Sequence, residues 1–100
     1  MGKKENEFQA NLIKEIKARF PGAVVLKNDA NYIQGIPDLS VFYGPHWAML
    51  ECKRSDSASK RPNQDYYIGK LDNMSFASFI SPENKEEVLN ELERSFQVGR

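Results

Sequence analysis

The sequence has one cysteine, one histidine, no net charge and no long apolar run, and each shortage excludes something. With Cys52 alone, an intramolecular disulfide is impossible and a cysteine-rich zinc site within one chain is ruled out. That agrees with a reducing compartment. The longest apolar runs, at 23–26, 39–43 and 47–50, fall far short of the ~20 residues a membrane span requires. The N-terminus also lacks the apolar stretch of a signal peptide. The expectation is a cytoplasmic protein (host-cell cytoplasm if phage-encoded) with no membrane partner. Fourteen basic and fourteen acidic residues cancel, so the global field gives no support to nucleic-acid binding, and local distribution has to carry that argument. Lys53, Arg54, Lys60 and Arg61 cluster, whereas Glu83, Glu86, Glu87, Glu91 and Glu93 fall in the last quarter. A neutral whole is therefore compatible with one basic face.

What is present describes a single domain spanning 1–100, with 40% hydrophobic and 28% charged residues, large enough for one core. Residues 4–20 predict an amphipathic helix, with Phe8, Leu12, Ile13, Ile16 and Phe20 on one face and Pro21-Gly22 ending it. Glu5 and Gln9 project onto that apolar face, and Glu7 points nearly opposite. Polar groups aimed at a core require partners. Residues 23–27 predict a short strand, followed by a polar loop through Asn28, Asp29, Asn31 and Gln34 to Gly35. Two more strands, 39–43 and 47–53, flank Gly44-Pro45-His46 as a β-hairpin. The stretch 54–61 reads as a mobile polar loop, 62–71 as a helix opened by Pro62, and 76–80 as a fourth strand. Ser81-Pro82-Glu83 has the form of a helix start, with Ser81 as N-cap and Val88, Leu89, Leu92 and Phe96 as the apolar stripe. The element order is α-β-β-β-α-β-α.

Side chains on a strand alternate between faces, so Glu51 and Lys53 share one face and Cys52 takes the other. A turn centred near Pro45 sets Asp38 across from about Glu51 to Cys52. Two carboxylates brought this close repel unless a proton or a cation intervenes. Mg2+ or Mn2+ suits such a pair, because hard cations take carboxylate oxygens and keep waters for substrate and nucleophile. Asp38, Glu51 and the backbone carbonyl of Cys52 are the metal-ligand candidates, with Lys53 placed to orient a water or offset charge developing at phosphorus. Taken alone, Glu-x-Lys in a strand is more often a solvated polar face.

The combination is more specific than its parts. Gly35-Ile36-Pro37-Asp38 followed by Glu51-Cys52-Lys53 resembles the signature of the PD-(D/E)XK nucleases. Glu5-x-x-Phe8-Gln9, the Gly-Ile-Pro-Asp form of the first motif and Gln64 after the third strand are similar to stand-alone VRR-NUC domains, a type common in phages. The resemblance spans nearly the whole chain. It implies an α/β restriction-endonuclease-like fold, a mixed four-stranded sheet flanked by helices. It further implies a Mg2+- or Mn2+-dependent deoxyribonuclease in which Asp38 and Glu51 ligate metal, Lys53 acts on the nucleophile and Glu5 completes the acidic cluster. Glu7 is the alternative to Glu5, disfavoured by its helical projection. Gln64 falls where the resemblance puts a glutamine that positions substrate or water. Stand-alone members of this type are associated with paired cleavage of branched DNA such as Holliday junctions, which implies a homodimer.

Lys27, Asn28, Lys60 and Arg61, with Gln64, are candidate DNA contacts, the basic ones through phosphates. Cys52 is expected as a small core residue and His46 as an exposed, inert turn residue. Of Tyr66 and Tyr67, one is expected to pack and the other to be available for stacking. Competing readings are a nuclease acting on linear duplex or single-stranded ends, and a DNA-binding module that keeps the fold without catalysis.

Overall fold

The computed structural model describes the backbone from residue 3 to residue 98 and side chains from residue 6 to residue 97. The first helix described is α1 (Lys3–Arg19), whose Leu12 and Ile16, with Phe20 just past its end, recur every four residues and are buried. Pro21 cannot extend the helix, and Gly22, at φ 92°, turns the chain into the sheet. The strands are β1 (Val24–Lys27), β2 (Leu39–Tyr43), β3 (His46–Cys52) and β4 (Ala77–Ile80). Between the last two lies α2 (Pro62–Met74), and α3 (Lys85–Val98) closes the chain.

The four strands form one sheet in the order β1-β2-β3-β4. β1 through β3 are antiparallel neighbours, whereas β3 and β4 run parallel. A parallel pair needs a crossover, and α2 supplies it. The mixed four-stranded sheet and the α-β-β-β-α-β-α order are those expected from the sequence. Among the described residues, no helix is long and apolar enough to cross a membrane.

Alternation along the strands divides the sheet into two unlike faces. Leu39 and Val41 of β2, Ala48, Leu50 and Cys52 of β3, and Ile80 of β4 are buried with α1 and with Val88, Leu89, Leu92 and Phe96 of α3. Cys52 is thus a core residue, as expected. On the opposite face α2 packs over β3 and β4 and buries Leu71. Val24, Leu26 and Phe42, beyond the reach of α2, are exposed.

Four local expectations need correction. The hairpin turn is only Gly44-Pro45: His46 pairs with Tyr43 as the first residue of β3, and Lys53 lies just beyond the strand. His46 is half-buried rather than exposed, its ring stacked 5.7 Å from Phe96, which stacks in turn on Tyr43. Aromatic packing, invisible in a turn read locally, captured it. Ser81 does not cap α3, which begins at Lys85 after a turn at 82–84. The Ser81 hydroxyl instead donates to the Asp56 carboxylate, and the Asn84 carbonyl accepts the Val88 N–H at 2.9 Å. The Ser81–Asp56 bond also changes the reading of residues 54–61. Asp56 is tied to Ser81 and, through its N–H, to Glu83 at 2.6 Å, so this loop is fastened to the start of α3.

Candidate functional site

Asp38 sits immediately before β2, after a loop whose course depends on one glycine. Gly35 has φ 89°, a conformation L side chains rarely adopt, and a Cβ there would lie 2.5 Å from the Cβ of Asn63. Only glycine lets this loop run against the first turn of α2. The contact brings Gln64, the residue after Asn63, onto the same face of the sheet as Asp38.

The β2–β3 register sets Leu39 opposite Leu50, and one residue further Asp38 faces Glu51. The Asp38 N–H donates to Glu51 Oε1 at 3.1 Å, and the Cys52 N–H donates to Asp38 Oδ2 at 2.8 Å. Each carboxylate is thereby held by the other's strand. Hydrogen bonds to a charged acceptor are worth roughly 1.5–3 kcal/mol. Glu51 is only 5% exposed, a deep position for a carboxylate, and it is well supplied with donors.

Gln64 joins the carboxylate to the lysine. Its Nε2 donates to Glu51 Oε2 at 2.8 Å, and its Oε1 accepts from Lys53 Nζ at 2.8 Å and from the Arg61 N–H at 3.2 Å. The last bond also secures the start of α2, where Pro62 occupies the first turn. Lys53 Nζ lies 4.0 Å from Glu51 Oε2 and donates to the Ser59 carbonyl at 3.0 Å. Asp38, Glu51, Gln64 and Lys53 therefore form one connected polar network, assembled from the residue before β2, from β3, from α2 and from the loop after β3.

The donor chemistry suits a hard divalent cation. Among the described residues, no group of three or more His, Cys, Asp or Glu side chains is placed to hold a metal. Two are placed together, and Mg2+ commonly takes one or two carboxylates and completes its shell with water. Each carboxylate oxygen carries two lone pairs, so one hydrogen bond from Gln64 or from a backbone N–H does not by itself fill it. The Glu5 side chain lies outside the described residues, whereas Glu7 is exposed on α1.

The other predicted residues divide by position. Lys27, Lys60 and Arg61 are exposed, and Asn28 is half-buried and hydrogen-bonded within the protein. Tyr66 is exposed and Tyr67 half-buried, with their rings edge-on at 5.0 Å. Sequence reasoning missed Phe79. It pairs with Glu51 across β3 and β4, and its ring carries Lys60 Nζ at 5.0 Å and Lys53 Nζ at 6.0 Å. No local signal gives that register, because it is set by the α2 crossover. Ser40 was legible in principle as a polar residue within an apolar strand.

A cavity of about 390 Å³ lies elsewhere, at the hairpin-turn end of β3, lined by Arg19, Tyr43, His46 and Phe96 among others. It includes none of the four networked residues. The convergence of carboxylates, amide and ammonium, rather than the presence of a cavity, selects the Asp38 region. The fold and site together define an α/β domain with an acidic pair, a lysine and a glutamine at one end of a mixed sheet. Compared with protein-family models, with curated proteins and with solved structures, the chain matches none.

Proposed function

We propose that this chain is a metal-dependent DNA endonuclease with a restriction-endonuclease-like fold, similar to the stand-alone VRR-NUC type. The observation that carries the reading is the connected network of Asp38, Glu51, Gln64 and Lys53. A solvated Glu-x-Lys pair would have no need of a buried carboxylate bridged to the lysine by a glutamine from another element.

Asp38, Glu51 and the Cys52 carbonyl are the cation's ligands in this reading, and the resemblance adds Glu5 to them. When bound, Mg2+ or Mn2+ supplies Lewis-acid polarisation of the phosphoryl group and acidifies an attacking water. Lys53 presents its ammonium to the negative charge that builds on the phosphoryl oxygens, and its bond to Gln64 fixes where that charge sits. Gln64 spans Lys53 and Glu51 and so keeps cation and carboxylate at a set separation. Lys27, Lys60 and Arg61 are exposed and available to phosphates flanking the scissile bond.

A domain this small has little surface for a large substrate. A homodimer acting on branched DNA, with paired sites making paired cuts, follows from the resemblance. The test is cleavage of a four-way junction and of linear duplex of equal length by purified protein, with Mg2+ and with EDTA. Metal-dependent, symmetric cutting of the junction in preference to the duplex is expected. Equal cutting of the duplex would restrict the reading to a general nuclease, and no cutting of any DNA would remove it.

A further inference from the structure

Asn28 was expected to touch DNA, but its side-chain hydrogen bonds point inward, to Pro37 just before Asp38 and to Ser40 two residues after it. Its Nδ2 donates to the Pro37 carbonyl at 2.9 Å and to the Ser40 hydroxyl at 2.9 Å, and that hydroxyl lies 3.2 Å from Asn28 Oδ1. Its backbone N–H donates to the Asp38 carbonyl at 2.7 Å, carrying the β1–β2 ladder one residue past Lys27 and Leu39. Asn28 therefore holds the chain before Asp38, at Asp38 and after it. Ser40 is 3% exposed, so the far end of this clasp is shielded from water.

We infer that Asn28, with Ser40, is a positioning residue for the metal-binding carboxylates, an inference that rests on the reading of Asp38 and Glu51 as metal ligands. Asp38 stands at the end of a loop, and loop backbone alone does not fix a carboxylate direction. The clasp does so by pinning both flanking peptide groups, which sets Asp38 Oδ2 on the Cys52 N–H and the Asp38 N–H on Glu51. Partners that orient ligands without touching the metal typically alter metal affinity or activity by about 10–100-fold. A DNA contact would behave differently, weakening DNA binding and leaving metal affinity alone.

The experiment compares the full chain with Asn28→Ala and Ser40→Ala. Amide exchange by NMR reads the Cys52 N–H, whose acceptor is the Asp38 carboxylate. Titration with Mn2+ reads ligand geometry, and anisotropy with labelled junction DNA in EDTA reads DNA binding. Both variants should exchange at Cys52 about tenfold faster, the factor that loss of one hydrogen bond accounts for. Val41 and Ala48 amides in the core strands should keep their protection. Mn2+ affinity should fall by about 10–100-fold, with DNA affinity unchanged. Ser40→Ala removes only a hydroxyl and decides the matter if Asn28→Ala does not fold. Unchanged Cys52 exchange and Mn2+ affinity together with weaker DNA binding would overturn the inference. Should the wild-type chain neither bind Mn2+ nor cut DNA, the nuclease reading fails, and Cys52 exchange alone then decides whether the clasp exists.

Discussion

Leu50 and Glu51 are consecutive in β3, are both buried, and belong to faces of the sheet held in different ways. On the Leu50 side, α1 and α3 close over apolar side chains whose contacts are nondirectional. On the Glu51 side, one carboxylate takes donors from the Asp38 backbone and from Gln64, each fixed in direction. The first face stabilises the domain by removing apolar area from water, while the second spends buried polarity on fixing the geometry of four side chains.

Substitutions on the two faces should therefore fail in different measurements. Leu50→Ala opens a cavity in the core and should cost about 2–5 kcal/mol in urea denaturation, while the folded fraction keeps its metal affinity. A loss below ~1 kcal/mol would mean that the core relaxes far more than its packing implies. Gly35→Ala tests the other face through its backbone. The new Cβ would meet Asn63 at 2.5 Å in a left-handed conformation, with a cost of about 1–3 kcal/mol. Because that contact docks α2, the same variant should loosen the Gln64 bridge, seen as faster exchange at Arg61, whose N–H donates to Gln64.

The parts of this arrangement that can be read from the sequence are those set by short-range rules. Counting residues from a turn near Pro45 places Asp38 across from about Glu51 to Cys52, and the two-residue turn at Gly44-Pro45 makes the partner Glu51. Strand alternation likewise assigns Cys52 to the core and Glu51 to the other face. The convergence of Gln64 on that site came from the family resemblance, and the close approach of Gly35 to α2 shows how the chain achieves it. What escaped depends on contacts between distant elements. Phe79 reaches Glu51 only through the crossover, His46 is half-buried against Phe96 from the last helix, and Ser81 prefers Asp56 to a helix cap. Asn28 is intermediate. Its type and place were conspicuous, but its direction depended on Ser40 across the ladder.

The central claim is that the polar face of this sheet is a metal-dependent phosphodiesterase centre. Single-turnover cleavage of a four-way junction by the wild-type chain and by Glu51→Gln, at saturating Mg2+ and with melting curves for both, tests it most directly. Glutamine keeps an acceptor for the Asp38 N–H and removes the charge, so the account predicts a fold that survives and a rate lower by about 10²–10³-fold. Cleavage by Glu51→Gln at the wild-type rate, or cleavage by the wild-type chain that persists undiminished in EDTA, would contradict it.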